Sequence, residues 1–418
     1  MKRILLTALV LGTVISASAG SLPAAVDGTI TIDGLVEVSD SSDAAALAAA
    51  TSLVLNSGAT LLYTASDPLA LSATVSGTGA FVGVGAGVVT ISGDNSGLVA
   101  PGHFAFTNTV VAVAHEHGLG AAGTGTAHFY SASSAQPLRF DNGTTAFTNS
   151  VALRIVRPSG GHLHIGSQSP DTFFVQAASL SENLPSARIY FTNNFEMIAG
   201  EFKSTSTTWL DHSGTGSVWF REGCTMELGS AAIVYFSNIH IGAASCRAAA
   251  GLNTDAARQI TMERDYTLTE DTYFSPWAQA SLTTTTPYYN LNGHSQTISH
   301  LACNSKPGYA IISSEEPCTL KLVSATAGSH EAPFLFRGAL SLWHDTVKTE
   351  TLTAPCVSTG SLKVTKGTLV LSGNGKWVGD ESRLAERGLS PARARTRWRP
   401  ESMSLPWSLA DRSTSARA

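Results

Sequence analysis

The sequence has few charged residues, few cysteines and no long apolar segment in its body. Only 14% of its 418 residues are charged, which argues against a helix-rich protein that covers its wet faces with Glu and Lys. Five cysteines are too few for a disulfide scaffold. Beyond residue 19 no segment approaches the ~18 consecutive apolar residues of a membrane helix. We therefore expect no transmembrane helix in the mature chain.

Several functional motifs are also missing. The net charge of -5 and the lack of a basic cluster in the body give no reason to expect a nucleic-acid partner. There is no nucleophile elbow, no Walker-type phosphate loop and no dinucleotide fingerprint between a strand and a helix. Gly77-x-Gly79 and Gly83-x-Gly85-x-Gly87 stand among strands and are interpreted as turns. The sequence predicts no catalytic, cofactor-binding or metal-binding residues and no bound cofactor.

The N-terminus has the form of a secretory signal peptide. Lys2 and Arg3 precede the apolar run 4–15, and Ala17-x-Ala19 follows as a small-residue cleavage site. The apolar run is too short to cross a bilayer of roughly 30 Å as a helix. Residues 1–19 are predicted to be removed by cleavage before Gly20, with an uncleaved anchor as the alternative. The protein is therefore expected to be secreted or held at the cell surface.

From about residue 29 to residue 378 the chain is a series of short strand-like segments separated by turns. Four segments share alternating aliphatic or β-branched residues followed by a glycine-containing turn: 29–34, 52–58, 88–93 and 368–373. Alternation places every second side chain on one face. In the last segment Leu369 and Leu371 are predicted to face inward. Helical periodicity is expected only in the Ala-rich segment 43–51.

One such unit cannot bury its own apolar face, so stability is expected to come from stacking of successive units. This favours an all-β fold, a parallel β-solenoid over residues 20–379. An antiparallel sandwich with the same strand and turn signals is the alternative. The aromatic residues between 173 and 236 predict bulkier turns of the solenoid, or longer loops, in the middle of the chain.

Residues 380–418 differ in kind. They contain eight arginines and no lysine and lack the strand pattern. We expect a disordered tail, and the stretch from Pro391 to Pro400 has the composition of a frameshift product. An Arg-rich arm for anionic polymers is the alternative.

Three stretches carry a resemblance to a known family. The first, 360–374, contains Gly367-Thr-Leu-Val-Leu-Ser-Gly-Asn374; the second, 289–301, contains Leu291-Asn-Gly-His-Ser-Gln-Thr-Ile298; the third begins at Ile91-Ser-Gly-Asp-Asn-Ser-Gly97 and continues to Thr126. These patterns resemble the autotransporter-associated beta-strand repeats of bacterial surface proteins. The resemblance is clearest over 88–130 and 288–379.

The resemblance implies a right-handed parallel β-helix passenger that is displayed or released and has an adhesive or structural role. We expect no C-terminal segment of the kind that holds such passengers at an outer membrane, which leaves attachment open and predicts a truncated passenger. The predicted function is that of a non-catalytic exported surface protein, with an extracellular polysaccharide or protein as the partner. The alternatives are a polysaccharide-active β-helix, either a lyase or a glycoside hydrolase, and a truncated fragment without present function.

His115-Glu116-His117, with His103 and His128, is the strongest candidate for a metal site. On a strand, alternation would place His115 and His117 on one face. However, the segment falls where the repeat family has a polar turn, and no acidic or cysteine partner lies at a ligand spacing along the chain. We therefore interpret these histidines, and His162-x-His164, as solvated.

A polysaccharide-cleaving site would require carboxylates that face each other across neighbouring turns. The middle of the chain supplies six acidic candidates, none of which stands out by spacing: Asp141, Asp171, Glu196, Glu201, Asp211 and Glu222. Trp209, Trp219 and Tyr235 are candidates for a sugar-stacking strip, although core packing is favoured.

The cysteine spacings leave two interpretations open. Cys224 with Cys246, and Cys303 with Cys318, are each close enough in sequence for a local disulfide, and the odd total leaves one cysteine over. Small buried thiols in the core are the favoured interpretation.

Overall fold

The computed structural model describes residues 19–372 and 377, with gaps at 86, 131–137, 141–145, 157–161, 168–172, 184–186, 205–207, 214–216, 229–238, 249–250, 253–258, 276–287, 303–309, 355 and 373–376. The predicted signal peptide, apart from Ala19, and the predicted Arg-rich tail lie outside the described residues. Both therefore stay predictions.

The described chain forms 33 strands and one helix. The N-terminal strands are β1 (Thr29–Ile32), β2 (Leu35–Val38), β3 (Ser52–Leu55), β4 (Thr60–Tyr63), β5 (Leu69–Leu71), β6 (Thr74–Gly77), β7 (Ala80–Val84), β8 (Val88–Ile91), β9 (His103–Thr107), β10 (Val110–Val113) and β11 (Ala127–Tyr130). The middle strands are β12 (Leu138–Phe140), β13 (Ala146–Asn149), β14 (Leu153–Val156), β15 (His162–Ser167), β16 (Phe173–Gln176), β17 (Leu180–Asn183), β18 (Ala187–Thr192), β19 (Asn194–Met197), β20 (Gly200–Ser204), β21 (Thr208–Ser213), β22 (Val218–Phe220) and β23 (Cys224–Leu228). The remaining strands are β24 (Ile239–Ile241), β25 (Ser245–Ala248), β26 (Gln259–Met262), β27 (Tyr288–Asn290), β28 (Gln296–Ile298), β29 (Ala310–Leu322), β30 (Ser329–Ala332), β31 (Phe334–Leu352), β32 (Val357–Ser358) and β33 (Leu362–Leu371).

The strands stack as a parallel β-solenoid of about 11 turns. They form sheets of three, seven, ten and thirteen strands, and every pairing between these strands in the described part is parallel. Ile32 aligns with Leu55, and Leu55 with Gly77, so a strand pairs with the equivalent strand of the next turn. This confirms the solenoid, because an antiparallel sandwich would pair sequence neighbours in opposite directions.

The inward faces of the sheets form one apolar core that runs through the turns. Phe140 stacks on Phe174 with ring centroids 3.9 Å apart, and Phe191 lies 4.3 Å from Phe195. The middle region therefore has the bulkier turns that the aromatic residues predicted. These rings pack face to face or at an angle inside the core, where they fill the width of each turn.

The prediction that Leu369 and Leu371 both face inward was only half correct. Leu369 packs against the core, but Leu371 is 37% exposed. Both belong to β33, the last strand of the described part, so within that part no further turn covers this strand.

The predicted helix exists and begins two residues before the predicted start. Helix α1 spans Ser41–Ala49, and the side chain of its N-cap residue Asp40 accepts a hydrogen bond from the Asp43 backbone at 2.8 Å. This cap satisfies a backbone donor that the first helical turn leaves unpaired. Ala44 and Leu47 are buried, so the helix contributes its apolar side to the core near the N-terminal end of the described solenoid.

Buried amides hold several turns of the backbone together. Asn149 donates to Gln176 at 2.8 Å, and Gln176 donates to the carbonyl of Val151 at 3.0 Å. Gln296 similarly donates to the Arg264 carbonyl at 2.7 Å. Because a buried turn leaves backbone groups without strand partners, these side chains supply the missing hydrogen bonds.

Candidate functional site

Three side chains that bind metal ions in other proteins meet at adjacent turns of the solenoid. His115 and His117 follow β10 in a turn, as the interpretation of a polar turn predicted. Asp94 lies in the turn that follows β8, the strand paired with β10. Its Oδ1 is 3.3 Å from Nδ1 of His117, and one ligand atom from each of the three residues lies within 4.8 Å of the others.

The expectation that these histidines have no acidic partner was therefore wrong. The partner is 23 residues away in sequence and close only because the two turns stack. Asp94 and His117 remain about half exposed, at 48% and 45%. Hydrogen bonding from Ser96, then from His117, lowers the pKa of Asp94, so this carboxylate is ionised at neutral pH.

The backbone beneath this cluster is held by Asn95, which is fully buried. Its Oδ1 accepts from the Val75 backbone N–H at 2.6 Å, and its Nδ2 donates to the Gly118 carbonyl at 2.6 Å. The Asn95 backbone N–H also donates to the His117 carbonyl at 3.2 Å. One side chain therefore links three successive turns and fixes the segments that carry the cluster.

His103 and His128 form a separate pair in the ten-stranded sheet. Their ring centroids are 5.4 Å apart, and Nδ1 of His103 lies 2.9 Å from the Pro101 carbonyl oxygen. Burial, with a smaller contribution from His103 and Arg154, lowers the pKa of His128 to about 4. Neither histidine belongs to the Asp94 cluster, which corrects the grouping made from sequence. His162 and His164 lie on β15, but their side chains are outside the described residues.

The carboxylates proposed for polysaccharide cleavage are engaged with basic groups wherever their side chains are described. Glu196 pairs with Arg221. Glu201 is 4.0 Å from Lys203, and Glu222 is 3.4 Å from Arg264. Asp141 and Asp171, and the side chain of Asp211, lie outside the described residues. The described set forms ion pairs on the outer surface instead of a facing pair of acids.

Trp219 lies on an outward face, which contradicts its expected packing in the core. Its neighbours Val218 and Phe220 take the buried positions of β22, so alternation turns Trp219 outward. Its ring stacks on His240 with centroids 3.6 Å apart, and the Arg221 guanidinium lies 4.1 Å from its centroid. The indole therefore contacts two neighbouring side chains on the outer surface. The side chains of Trp209 and Tyr235 are outside the described residues.

A second outward aromatic, Trp343, was not singled out from the sequence. The ammonium groups of Lys321 and Lys363 lie 4.0 Å and 3.9 Å from its ring centroid. The three residues align across β29, β31 and β33, which explains why they are 22 and 20 residues apart in sequence but adjacent in space. A hydrogen bond from Thr365, together with Lys321 and Lys366, lowers the pKa of neighbouring Asp345 to about 2.

Reasoning from sequence also missed a column of stacked titratable groups, here called the histidine–lysine column. Its members belong to successive turns: Tyr273, His300, His330 and Lys348. Tyr273 stacks on His300 with ring centroids 4.5 Å apart, and the tilted ring of His330 also lies 4.5 Å from His300. Nζ of Lys348 donates to Nε2 of His330 at 2.8 Å. Sequence separations within the column are irregular, so no motif revealed it.

Beside this column, Glu350 is aligned with His330 across β30 and β31. Burial lowers the pKa of His300 to about 4, and Lys348 and His330 act in the same direction. Burial raises the pKa of Glu350 to about 8. At neutral pH His300 is therefore neutral and Glu350 is mostly protonated. The column is a network of buried and half-buried groups with shifted pKa values.

The described cysteines are buried thiols, which is the interpretation that the sequence favoured. Cys224, Cys246, Cys318 and Cys356 are free and buried, so neither local disulfide that the spacings allow is formed. Burial raises the pKa of Cys224 and of Cys246 to about 12. Cys303 lies outside the described residues.

Comparison with known proteins leaves the family open. A scan against protein-family models, a search of curated proteins and a search of solved structures each gave no match. The resemblance to autotransporter-associated beta-strand repeats therefore stays a prediction. Among the described residues, no helix has the length and apolar character needed to cross a membrane.

Proposed function

We propose that this chain is an exported, non-catalytic protein of the cell surface or extracellular space that works by presenting the outer faces of its solenoid. Its role is adhesive or structural, and its partner is an extracellular polysaccharide or protein. The observation that carries the proposal is the stacked architecture: outward side chains align from turn to turn over long parallel sheets. Such a surface offers repeated, regularly spaced contacts to an extended partner.

The outer groups also support display more than catalysis. On the ten-stranded sheet, Arg247 bridges Glu227 at 2.9 Å and Asp271 at 2.5 Å. These ions belong to three successive turns, as do Lys321, Trp343 and Lys363. A general acid or base must be able to exchange a proton with its substrate, whereas these charges are held by their neighbours and shape a fixed surface.

Export is tested at the N-terminus of the protein made by its native host. The mature chain isolated from the surface or the medium is expected to begin at Gly20, as N-terminal sequencing would show. Protease added to intact cells should degrade any chain that stays attached. Recovery of an uncleaved chain inside protease-treated cells would refute the proposal of export.

The non-catalytic role is tested with a panel of plant and microbial polysaccharides. Purified protein is expected to retain some of these polymers on a solid support without producing new reducing ends or unsaturated products. Turnover that is abolished in Glu196→Gln or Glu222→Gln, but not in the paired control Glu227→Gln, would establish the polysaccharide-active alternative and defeat the proposal.

A further inference from the structure

We propose that Asp94, His115 and His117 bind a divalent transition-metal ion of the zinc class. These residues come from two stacked turns, and one ligand atom of each lies within 4.8 Å of the others. The site is independent of the proposed surface role, and a bound ion would cross-link the two neighbouring turns.

The donor atoms suit this class of ion. Zinc binds imidazole nitrogen and carboxylate oxygen at about 2.0–2.2 Å, and tetrahedral geometry then places two ligand atoms roughly 3.4 Å apart. The 3.3 Å between Asp94 Oδ1 and His117 Nδ1 already matches that spacing. Two nitrogens and one oxygen are too few ligands for Ca²⁺, which takes six to eight oxygens.

Both histidines must adjust: His117 must release the Nδ1 proton that it donates to Asp94, and His115 must change its contacts. Its ring centroid is 5.8 Å from that of His117, and its Nδ1 accepts a hydrogen bond from the His117 backbone N–H at 3.1 Å. A metal ion would either replace that N–H at Nδ1 or bind Nε2 after the ring proton moves to Nδ1. Both changes need only rotation or proton exchange in one half-exposed side chain.

The backbone that carries the ligands is already fixed. Asn95 lies next to Asp94 and joins the two turns through its hydrogen bonds to Gly118 and His117. The Gly118 backbone N–H also donates to the His115 carbonyl at 2.8 Å, which closes the histidine-bearing turn. Because folding has already ordered these segments, metal binding orders little beyond the three side chains.

This cluster contains three ligand groups, whereas the other exposed histidine–carboxylate contacts contain two. His240 lies 2.7 Å from Glu263, and His294 lies 3.7 Å from Asp265. Each of these is a pair. Among the described residues, only the Asp94 cluster brings three ligand groups within mutual reach. His240 therefore provides a matched control: a histidine beside a carboxylate without a third ligand.

Zinc chloride titrated into the tag-free full chain tests the site by calorimetry, and Co²⁺ reports the ligand geometry by its visible absorption. We expect one equivalent to bind saturably at pH 7.5. His115→Gln, His117→Gln and Asp94→Asn should each weaken binding at least about tenfold, while His240→Gln should leave it unchanged. Ca²⁺ should not compete.

Several results would overturn the assignment. They are the absence of saturable zinc binding, wild-type affinity in either histidine variant, or a loss in His240→Gln as large as in those variants. Retention of wild-type affinity in Asp94→Asn would overturn the three-ligand site. All three side chains are on turns and partly exposed, so the variants should keep the far-ultraviolet dichroism of the parent. A rise in Tm with zinc, absent in His117→Gln, gives a second readout of the same binding.

Discussion

Glu350 is a buried carboxyl group whose protonation should make the stability of the solenoid depend on pH. The side chain is 0% exposed, and among the described residues no donor makes a hydrogen bond of good geometry to either buried carboxyl oxygen, so the Leu301 backbone interacts with it only weakly. Burial raises its pKa from 4.5 to about 8, although the Leu301 backbone and the Lys348 ammonium oppose this shift. Between these two values the folded protein holds a proton that the unfolded chain has lost.

The sign of the pH dependence follows from that difference. Because the folded pKa is the higher one, the stabilisation is fully present below pH 4.5 and is lost as pH rises toward 8. One proton released on unfolding lowers the free energy of unfolding by about 1.4 kcal/mol for each pH unit. From pH 5.5 to 7.5 this one group should therefore lower the free energy of unfolding by roughly 2–3 kcal/mol.

Glu350→Gln keeps the size of the side chain and removes its titration. Urea unfolding followed by far-ultraviolet dichroism at pH 5.5, 6.5 and 7.5 should show that the variant gains stability relative to wild type as pH rises. Glu331→Gln changes an exposed carboxyl group on the neighbouring strand β30 and should leave the wild-type slope intact. Parallel pH profiles for wild type and Glu350→Gln would refute the assignment of a proton to Glu350.

Three further predictions concern packing and backbone geometry. Gly338→Ala should destabilise the protein far more than Gly58→Ala in urea unfolding. Both glycines have positive φ, but a Cβ at residue 338 would collide with the Ser314 carbonyl oxygen, whereas a Cβ at residue 58 would have no atom within 4 Å. Equal losses of stability in the two variants would contradict this reasoning. Asn95→Ala should cost roughly 2–4 kcal/mol because it leaves buried backbone groups of Val75 and Gly118 unpaired, and hydrogen exchange should quicken at Val75 first. Cys224 and Cys246 should resist a disulfide reagent at pH 8 until urea unfolds the chain, because burial raises the pKa of each thiol to about 12; fast labelling of the folded protein would contradict their buried placement.

The fold could be predicted from sequence because its signal is local. Segments such as 52–58 and 88–93 combine alternation with a glycine turn, and only stacking buries their apolar faces. The helix was equally local, and its error of two residues came from overlooking the Asp40 cap. The prediction for Trp219 was wrong although β22 also alternates between inward and outward side chains. Core packing was expected because the indole is large and apolar, but Val218 and Phe220 take the inward positions and leave Trp219 facing outward.

The candidate site could not be predicted because stacking is not local. Val88 pairs with Val110, a separation of 22 residues, but the turn after β10 is longer, so Asp94 meets His117 at a separation of 23. In the histidine–lysine column the separations change at every step. A search for acidic residues one turn before each histidine would have found Asp94, provided that the length of that turn was known. The strand motifs fix which faces are inward, but they do not fix turn length.

The two kinds of outward position in this fold differ in what they leave free for a ligand. On the sheets, side chains have neighbours above and below at the strand spacing of about 4.8 Å, and opposite charges there form ion pairs, as Arg247 does with Glu227 and Asp271. At the turns, the backbone is held by buried amides such as Asn95, while the side chains keep part of their exposure. Fixed backbone with accessible donors is the condition for a preorganised site. Recognition of small ligands should therefore concentrate at turns such as the one that carries His115 and His117, whereas the sheets are suited to broad contact with extended partners.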